Sequence, residues 1–312
     1  MTSVRGIKAE LKRAARFLGW KRPIASGDPL QIANAVGASS ANTSSAAKTS
    51  QISLALRYRE LAERRQPLPA LNDVQFRAFS QNGEDGILLY IFALVGTKNK
   101  RAVEICAGDG ISCNSANLIL NHGWHALLVD GDEALVNRGR AFYRRHRDTF
   151  SFPPVQVSAW IDRESVNDVI ARHGFAGEVD LLSIDLDGVD YWIWDAIDVI
   201  SPRVVVVETQ CIWGHERSVT VPYRADFRSP LVDGFGIYSG ASLPAFVKLG
   251  RLRNYRLVGT EALGFNAFFV RNDVGVGLLP EVSAEACLDR PFVHWASQRF
   301  LPLVQDKEWV EV

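Results

Sequence analysis

The sequence predicts a doubly wound α/β fold, with a mostly parallel sheet of seven strands that ends in an antiparallel strand. From Ser80 onward, short apolar runs alternate with stretches of helical periodicity. Runs such as residues 204–207, four consecutive valines, are typical of parallel strands covered on both faces. The last two runs, residues 255–258 and 267–270, are separated by a short loop with two glycines, which indicates an antiparallel pair.

The predicted elements follow one another in the order that such a fold requires. Its first helix begins at Gly83, where Glu84 and Asp85 lie favourably at the positive N-terminus. The predicted strands are residues 102–105, 126–129, 155–159, 181–184, 204–207, 255–258 and 267–270, and the predicted helices are residues 83–94, 114–121, 133–145, 163–173, 192–197 and 242–248.

The net charge of zero hides an uneven distribution. The chain of 312 residues has 35 basic and 35 acidic side chains. Residues 1–23 carry seven basic residues and one acid, a local charge of +6, so the remainder carries −6. A net charge of zero argues against a nucleic-acid partner, which would require a strong basic excess.

The segments outside the α/β core have distinct compositions. Residues 1–23 predict a basic amphipathic helix with three open interpretations: a packed terminal helix, a membrane-surface or partner-binding helix, or an organellar transit segment. Residues 24–50 predict a flexible linker because they have few large apolar side chains. A helical extension over 51–78, a main domain over 79–275 and a C-terminal extension over 276–312 follow.

The compartment is predicted from what the sequence lacks. The four cysteines (106, 113, 211 and 287) form no Cys-x-x-Cys pair, so a disulfide scaffold or structural zinc site is not expected. No apolar run reaches the roughly 18 residues of a spanning helix, and no apolar run of a secretory signal follows the N-terminal charges. We expect a cytoplasmic protein, with contact to a membrane surface through residues 1–23 as a further hypothesis.

A glycine turn follows the first predicted strand. The strand leads from Glu104 into Gly108 and Gly110, which allow a sharp turn and close approach of a ligand. About 20 residues further on, Asp130 ends the second strand, where an acid can accept hydrogen bonds from ribose hydroxyls. A dinucleotide fold expects a third glycine, but Cys113 stands there, which disfavours NAD.

These motifs together resemble those of class I S-adenosylmethionine-dependent methyltransferases, and within them the FkbM-type enzymes. The resemblance covers about residues 79–272, and Cys106 departs from it, since such families usually carry glycine there. The residues that carry the resemblance are Ser80 to Asp85, Glu104 to Gly110, Gly123-Trp124 leading to Asp130, Asp180 to Gly188, Tyr238 to Leu243, and Asn266 to Arg271.

The resemblance implies S-adenosylmethionine as cofactor and assigns site residues. Asp130 would hold the ribose hydroxyls, and Asp185 would lie beneath the sulfonium. For Glu104 and Asp130 the alternative is loop capping, and for Trp160 it is core packing. The implied cofactor-binding residues are Gln81, Glu104, Gly108, Gly110, Asp130, Ala159, Trp160 and Asp185.

Transfer to an alcohol would require a base, and the candidates lie near strand ends. They are Asp185, Asp187, Glu208 and His215. Asp185, Asp187 and Glu208 also offer hard oxygen ligands for Mg²⁺ or Ca²⁺, although two carboxylates in one turn more commonly cap the next helix.

The predicted function is O-methylation of a sugar or another hydroxyl on a glycan or natural product. The segment 213–238 mixes aromatic residues with arginine, which suits a sugar acceptor or a lid packed for its own stability. The expected partner is therefore a small-molecule or glycan acceptor. A non-catalytic protein that keeps the fold, and an NAD-dependent oxidoreductase, are the alternatives.

Overall fold

The computed structural model of the chain describes the backbone of residues 29–312 and the side chains of residues 46–312. Contacts divide the chain into two units, Met1–Ile52 and Ser53–Val312. The predicted basic helix over 1–23 lies outside the described residues. Within the described part, no helix combines the length and the apolar character that crossing a bilayer demands.

Seven strands of the second unit form one mostly parallel sheet. In chain order, and with β6 and β9 of a separate two-stranded sheet included, the strands of the described residues are β1 (Arg101–Ile105), β2 (His125–Asp130), β3 (Val155–Ser158), β4 (Gly177–Ile184), β5 (Ile200–Glu208), β6 (Val219–Thr220), β7 (Tyr255–Thr260), β8 (Asn266–Arg271) and β9 (Val310–Glu311). The order across the sheet is β3-β2-β1-β4-β5-β8-β7. Strand β8 runs antiparallel to both of its neighbours, whereas the pairs from β3 to β5 are all parallel. The fold class predicted from the sequence is confirmed.

Helices cover both faces of this sheet. The α-helices of the described residues are α1 (Pro29–Glu63), α2 (Glu84–Val95), α3 (Ala116–His122), α4 (Glu133–Arg145), α5 (Val166–Arg172), α6 (Asp190–Ala196), α7 (Leu243–Leu252), α8 (Ala284–Leu288) and α9 (Pro291–Val304). The valine run of β5 shows why its sequence is continuously apolar. Val205 and Val207 pack in a core with α5, α6 and α7, while Val204 and Val206 pack in a second core with α2 and α3 on the opposite face.

The predicted flexible linker over residues 24–50 is wrong from Pro29 onward. Residues 29–50 form the first part of α1, and residues 24–28 lie outside the described part. The segment is rich in alanine, the residue with the highest helix propensity, and after Pro29 it has no proline and a single glycine, Gly37. Its lack of large apolar side chains indicated a flexible linker, but the near absence of helix-breaking residues permits a helix, even though nine Ser, Thr and Asn residues have lower propensity than the six alanines.

The C-terminal extension is folded against the loop that follows β5. Strand β9 pairs antiparallel with β6, and the Val312 N–H donates to the Ser218 carbonyl over 3.0 Å. The Tyr238 hydroxyl donates to the Glu308 carbonyl over 2.6 Å. Residues after 305 therefore help to position the segment 213–238.

The start of α2 is held by a buried carboxylate and a close backbone approach. The Asp85 Oδ2 atom accepts the backbone N–H groups of Ala78, Phe79 and Ser80 at 2.7–2.8 Å. Next to it, a Cβ atom at Gly86 would lie 2.1 Å from the Val74 carbonyl oxygen and 2.4 Å from the Phe76 nitrogen. Both obstacles are backbone atoms, so only glycine fits at this position.

We predict that Gly86→Ala destabilises the fold by about 3 kcal/mol, because overpacking against backbone cannot be relieved by a rotamer change. Thermal or denaturant unfolding measures the change. Gly236→Ala is the matched control, since its Cβ would meet only the Ser229 side chain, at 3.2 Å. Equal stability of the two variants would contradict the close approach at Gly86.

Candidate active site

A cavity of about 500 Å³ lies at the carboxyl ends of the parallel strands. Its walls come from the loops after β1, β2, β3 and β4, and from residues 225–228. These last residues belong to the segment 213–238, which we call the later loop. Each of the four strand ends contributes residues to the lining, among them Cys106, Asp130, Trp160 and Gly188. This edge of an open α/β sheet is where ligands bind in such folds.

The turn after β1 requires left-handed backbone at three positions. Gly108 and Gly110 have φ angles of 59° and 70°, and Cys106 has a φ of 61°. The usual glycine at the Cys106 position would adopt this conformation without strain. Burial, reinforced by nearby carboxylates beginning with Asp130, raises the pKa of the Cys106 thiol. Cys106 therefore presents a neutral thiol to the cavity that it lines.

The two acids at the ends of β1 and β2 hold different positions. The buried Glu104 carboxylate accepts the backbone N–H groups of Asn114 (2.8 Å) and Ser115 (2.7 Å), just before α3. Glu104 is absent from the cavity lining, and these are the contacts of a loop cap. Asp130 does line the cavity. Its Oδ2 accepts the Gly108 N–H over 2.7 Å, and its Oδ1 accepts the Asp132 N–H over 2.8 Å.

The third wall joins the end of β3 to the later loop. Ala159 and Trp160 both line the cavity, and Trp160 is 48% exposed, so this indole is not part of the core. Its Nε1 donates to the Ala225 carbonyl over 2.6 Å, and the Arg228 guanidinium lies 4.8 Å from the centroid of its ring.

The later loop also reaches the strand β4 side of the cavity. A Cβ atom at Gly188 would lie 2.6 Å from the Phe227 ring, so glycine lets this ring pack close to the turn. Phe227 and Arg228 both line the cavity. The segment 213–238 thus supplies part of the wall, as its position after β5 suggested.

An acidic cluster follows β4 and β5. The carboxylate oxygens of Asp185, Asp187 and Glu208 lie within 4.8 Å of one another. Burial is the main cause that raises the pKa of both Asp185 and Glu208, and the neighbouring carboxylates add to it. When protonated, Glu208 donates a hydrogen bond to Asp185. Among the described residues, no backbone N–H donates to either side chain.

Asp190 organises the turn that carries this cluster. Its carboxylate accepts the backbone N–H groups of Leu186 (2.6 Å) and Gly188 (3.0 Å), and the residue is fully buried. Burial raises the pKa of Asp190 to about 6. Sequence reasoning did not select Asp190. A signal was available, since an acid directly after a glycine turn and at a helix start commonly binds free backbone N–H groups.

Two predicted site residues, Gln81 and His215, lie away from the cavity, and five others lie at the same sheet edge without lining it: Glu104, Gly108, Gly110, Asp185 and Glu208. Gln81 is exposed, and its backbone carbonyl accepts a hydrogen bond from Arg77 over 3.2 Å. His215 is exposed on the loop after β5. Neither residue lines the cavity, whereas Asp130, Ala159 and Trp160 do.

Comparisons with known proteins give distant structural likenesses. No protein-family profile matches the chain, and no curated protein sequence matches it. Magnesium protoporphyrin IX methyltransferase (ChlM) from Synechocystis PCC 6803, solved with bound SAM, is similar at 10% identity and a TM-score of 0.34, covering 87% of this chain and 98% of that one. An S-adenosylmethionine-dependent methyltransferase from Clostridium acetobutylicum ATCC 824 is similar at 9% identity and a TM-score of 0.34, covering 56% of this chain and 85% of that one.

The CurJ carbon methyltransferase is similar at 11% identity and a TM-score of 0.37, with 60% of this chain and 52% of that chain covered. Each of these TM-scores lies below 0.5, so the function of this chain has to be inferred from its own residues.

We predict that Glu208→Gln stabilises the fold. Buried acids with raised pKa values hold protons that the unfolded chain has released, so the free energy of unfolding falls as the pH rises above 4.5, the ordinary value for Glu. Because glutamine does not ionise, Glu208→Gln does not suffer this fall in the free energy of unfolding at higher pH. Its melting temperature should exceed that of the wild type by about 2–4 °C at neutral pH, the effect of about 1 kcal/mol in a domain of this size.

Thermal unfolding at neutral pH and at pH 4.5 tests this expectation, because the advantage of Glu208→Gln should shrink at the lower pH. The exposed Glu216→Gln is the control for loss of one carboxylate. An identical gain at both pH values would contradict the role assigned to burial of Glu208.

Proposed function

We propose that this protein is an S-adenosylmethionine-dependent methyltransferase that methylates a hydroxyl of a sugar or another natural-product acceptor. The observation that carries the proposal is the arrangement at one sheet edge. A glycine turn and Asp130 lie on one side, and an Asp185–Glu208 pair that no described backbone N–H engages lies at the ends of β4 and β5.

The residues present fit this cofactor. The cavity volume of about 500 Å³ is in the usual range for small-molecule sites. Asp130 accepts one backbone hydrogen bond on each oxygen, and a carboxylate oxygen can accept more than one, so both can still receive ribose hydroxyls. The half-exposed Trp160 offers an aromatic face for adenine. The acids around Cys106 suit a cationic sulfonium.

When bound, the cofactor supplies a methyl group on an already activated leaving group, so the protein must chiefly orient the acceptor and remove its proton. Asp185 suits the second task. Burial raises the pKa of Asp185, which makes its ionised form a stronger base than an ordinary carboxylate. A hydrogen bond from protonated Glu208 favours the ionised form of Asp185, the form that accepts the hydroxyl proton, and so opposes the effect of burial.

The proposed acceptor class rests on the wall made by the later loop. Phe227 and Arg228 of this loop line the cavity and offer it one aromatic ring and one guanidinium. Aromatic rings stack on the apolar face of a sugar, and a guanidinium donates to its hydroxyls. The resemblance to FkbM-type enzymes supports transfer to oxygen.

We expect the wild-type protein to bind S-adenosylhomocysteine and not NAD, and Asp130→Asn to weaken that binding about 10–100-fold, because buried ribose hydroxyls would lose a charged acceptor. Isothermal titration calorimetry measures both. Asp168→Asn, on the exposed face of α5, is the control. No detectable binding of S-adenosylhomocysteine by the wild type would refute the proposal, and binding of NAD would favour an oxidoreductase.

We further expect Asp185→Asn to lower the methylation rate about 10²–10⁴-fold, the usual contribution of a general base. Methyl incorporation across a panel of glycans and small alcohols, read by mass spectrometry, gives the rate. The matched variant Asp187→Asn should retain most of the rate, since Asp187 is the exposed member of the cluster. Loss of activity in Asp187→Asn, together with loss in chelator and recovery with Mg²⁺, would replace the base with a metal site.

A further inference from the structure

The opposite edge of the sheet, where β1, β2 and β3 begin, combines basic and aromatic side chains. Two chain segments contribute: residues 98–101, which lead into β1, and residues 144–152, which run from the last turn of α4 toward β3. We call this surface the basic-aromatic edge. Its residues are Lys98, Lys100, Arg101, Arg144, Arg145, Arg147, Phe150 and Phe152.

Contacts join the two segments into one surface. The His125 N–H donates to the Lys100 carbonyl over 3.0 Å, and the His125 ring stacks on Phe152 at a centroid distance of 4.2 Å. The same His125 ring stacks on Phe175, over which the Arg101 guanidinium lies at 4.5 Å. His125 is therefore the link between the basic segment before β1 and the aromatic turn.

The aromatic turn presents its rings to solvent while its backbone is ordered. Phe150 and Phe152 are 62% and 69% exposed. The Thr149 hydroxyl donates to the Tyr143 carbonyl over 2.7 Å, and the Phe150 N–H donates to the His146 carbonyl over 2.9 Å. Such high exposure on an ordered turn means that the rings project outward rather than line a groove.

The positive charge beside these rings is in excess, because the segment 144–152 has three arginines and a single acid, Asp148. Within the part of the chain that the structure describes, neither Arg144 nor Arg145 has a carboxylate within ion-pair distance. Arg147 has only the neighbouring Asp148, at 3.9 Å. Outside residues 1–23 the chain has a net charge of −6, so this local excess of cations stands out from an acidic body.

We propose that the basic-aromatic edge docks the protein on an anionic membrane surface. Exposed aromatic rings enter the boundary between headgroups and acyl chains, and flanking arginines are attracted to acidic lipids. Single-stranded nucleic acid is disfavoured, because its binding sites are grooves in which successive bases stack. The inference does not depend on the proposed catalytic function, since the cavity lies at the other edge of the sheet.

Sedimentation with vesicles tests the proposal on the full chain. Binding to phosphatidylcholine vesicles should rise strongly when phosphatidylserine is included, and should fall with added salt. The triple variant Arg144→Gln/Arg145→Gln/Arg147→Gln should lower the affinity for the acidic vesicles about 100-fold. Phe150→Ser/Phe152→Ser should lower it about tenfold, since each ring buries part of its area on docking.

The matched control for charge is Arg57→Gln/Arg64→Gln/Arg65→Gln, three exposed arginines of α1 and the residues that follow it. The matched control for apolar area is Leu252→Ser, which is 84% exposed. Both controls should bind acidic vesicles as the wild type does, and unchanged melting temperatures show that all variants are folded.

Wild-type affinity in both edge variants would overturn the proposal and assign vesicle binding to another part of the chain, such as residues 1–23. If the two edge variants lose binding to single-stranded RNA but keep binding to acidic vesicles, the proposal is overturned in favour of a nucleic-acid partner.

Discussion

Buried carboxylates that accept backbone N–H groups hold the loops of this fold in place. Chain turns and helix starts leave N–H groups without partners, and a buried N–H must be satisfied. Asp180 shows the pattern most fully, because it accepts the N–H groups of Lys98, Asn99 and Lys100 and pairs with the Arg203 guanidinium. Glu104 does the same before α3. Hydrogen bonds to ionised acceptors are the strong ones, so a few acids position most of the turns at both sheet edges.

This pattern identifies which acids remain available for chemistry. The Asp190 carboxylate accepts backbone N–H groups of its own turn, whereas the Asp185 and Glu208 side chains hydrogen-bond to each other. Such a pair, kept close and partly buried without backbone donors, costs the free protein stability, because burial disfavours the ionised form of both acids. Natural proteins retain such features where function requires them, at the expense of stability. The Asp185–Glu208 pair is therefore best explained by what it does for a ligand.

The sequence predicted the sheet well because continuous apolar runs leave little choice of environment: a run such as Val204 to Val207 must be buried on both faces. It predicted the site less completely. Strand-end acids can be located from the sequence, but their partners cannot, so Glu104 and Asp130 looked equivalent although only Asp130 lines the cavity. The predictions that His215 and Gln81 lie in the site were wrong for the same reason, since the direction of a loop depends on tertiary contacts. The helix over 29–50 was missed because a lack of large apolar side chains was taken to indicate a linker, although after Pro29 the segment has no proline and one glycine to break a helix.

The parallel sheet also places the cavity and the basic-aromatic edge at opposite ends of its strands. All carboxyl ends of β1 to β4 lie at the cavity edge, and all their amino ends lie at the other, so residues near strand starts cannot reach the cavity. Phe152, Arg101 and His125 belong to the second edge, and Asp130 and Trp160 to the first. A protein docked through the second edge would keep its cavity mouth toward water. An acceptor in the aqueous phase, or a headgroup extending far from the bilayer, would then suit this geometry better than a buried lipid hydroxyl.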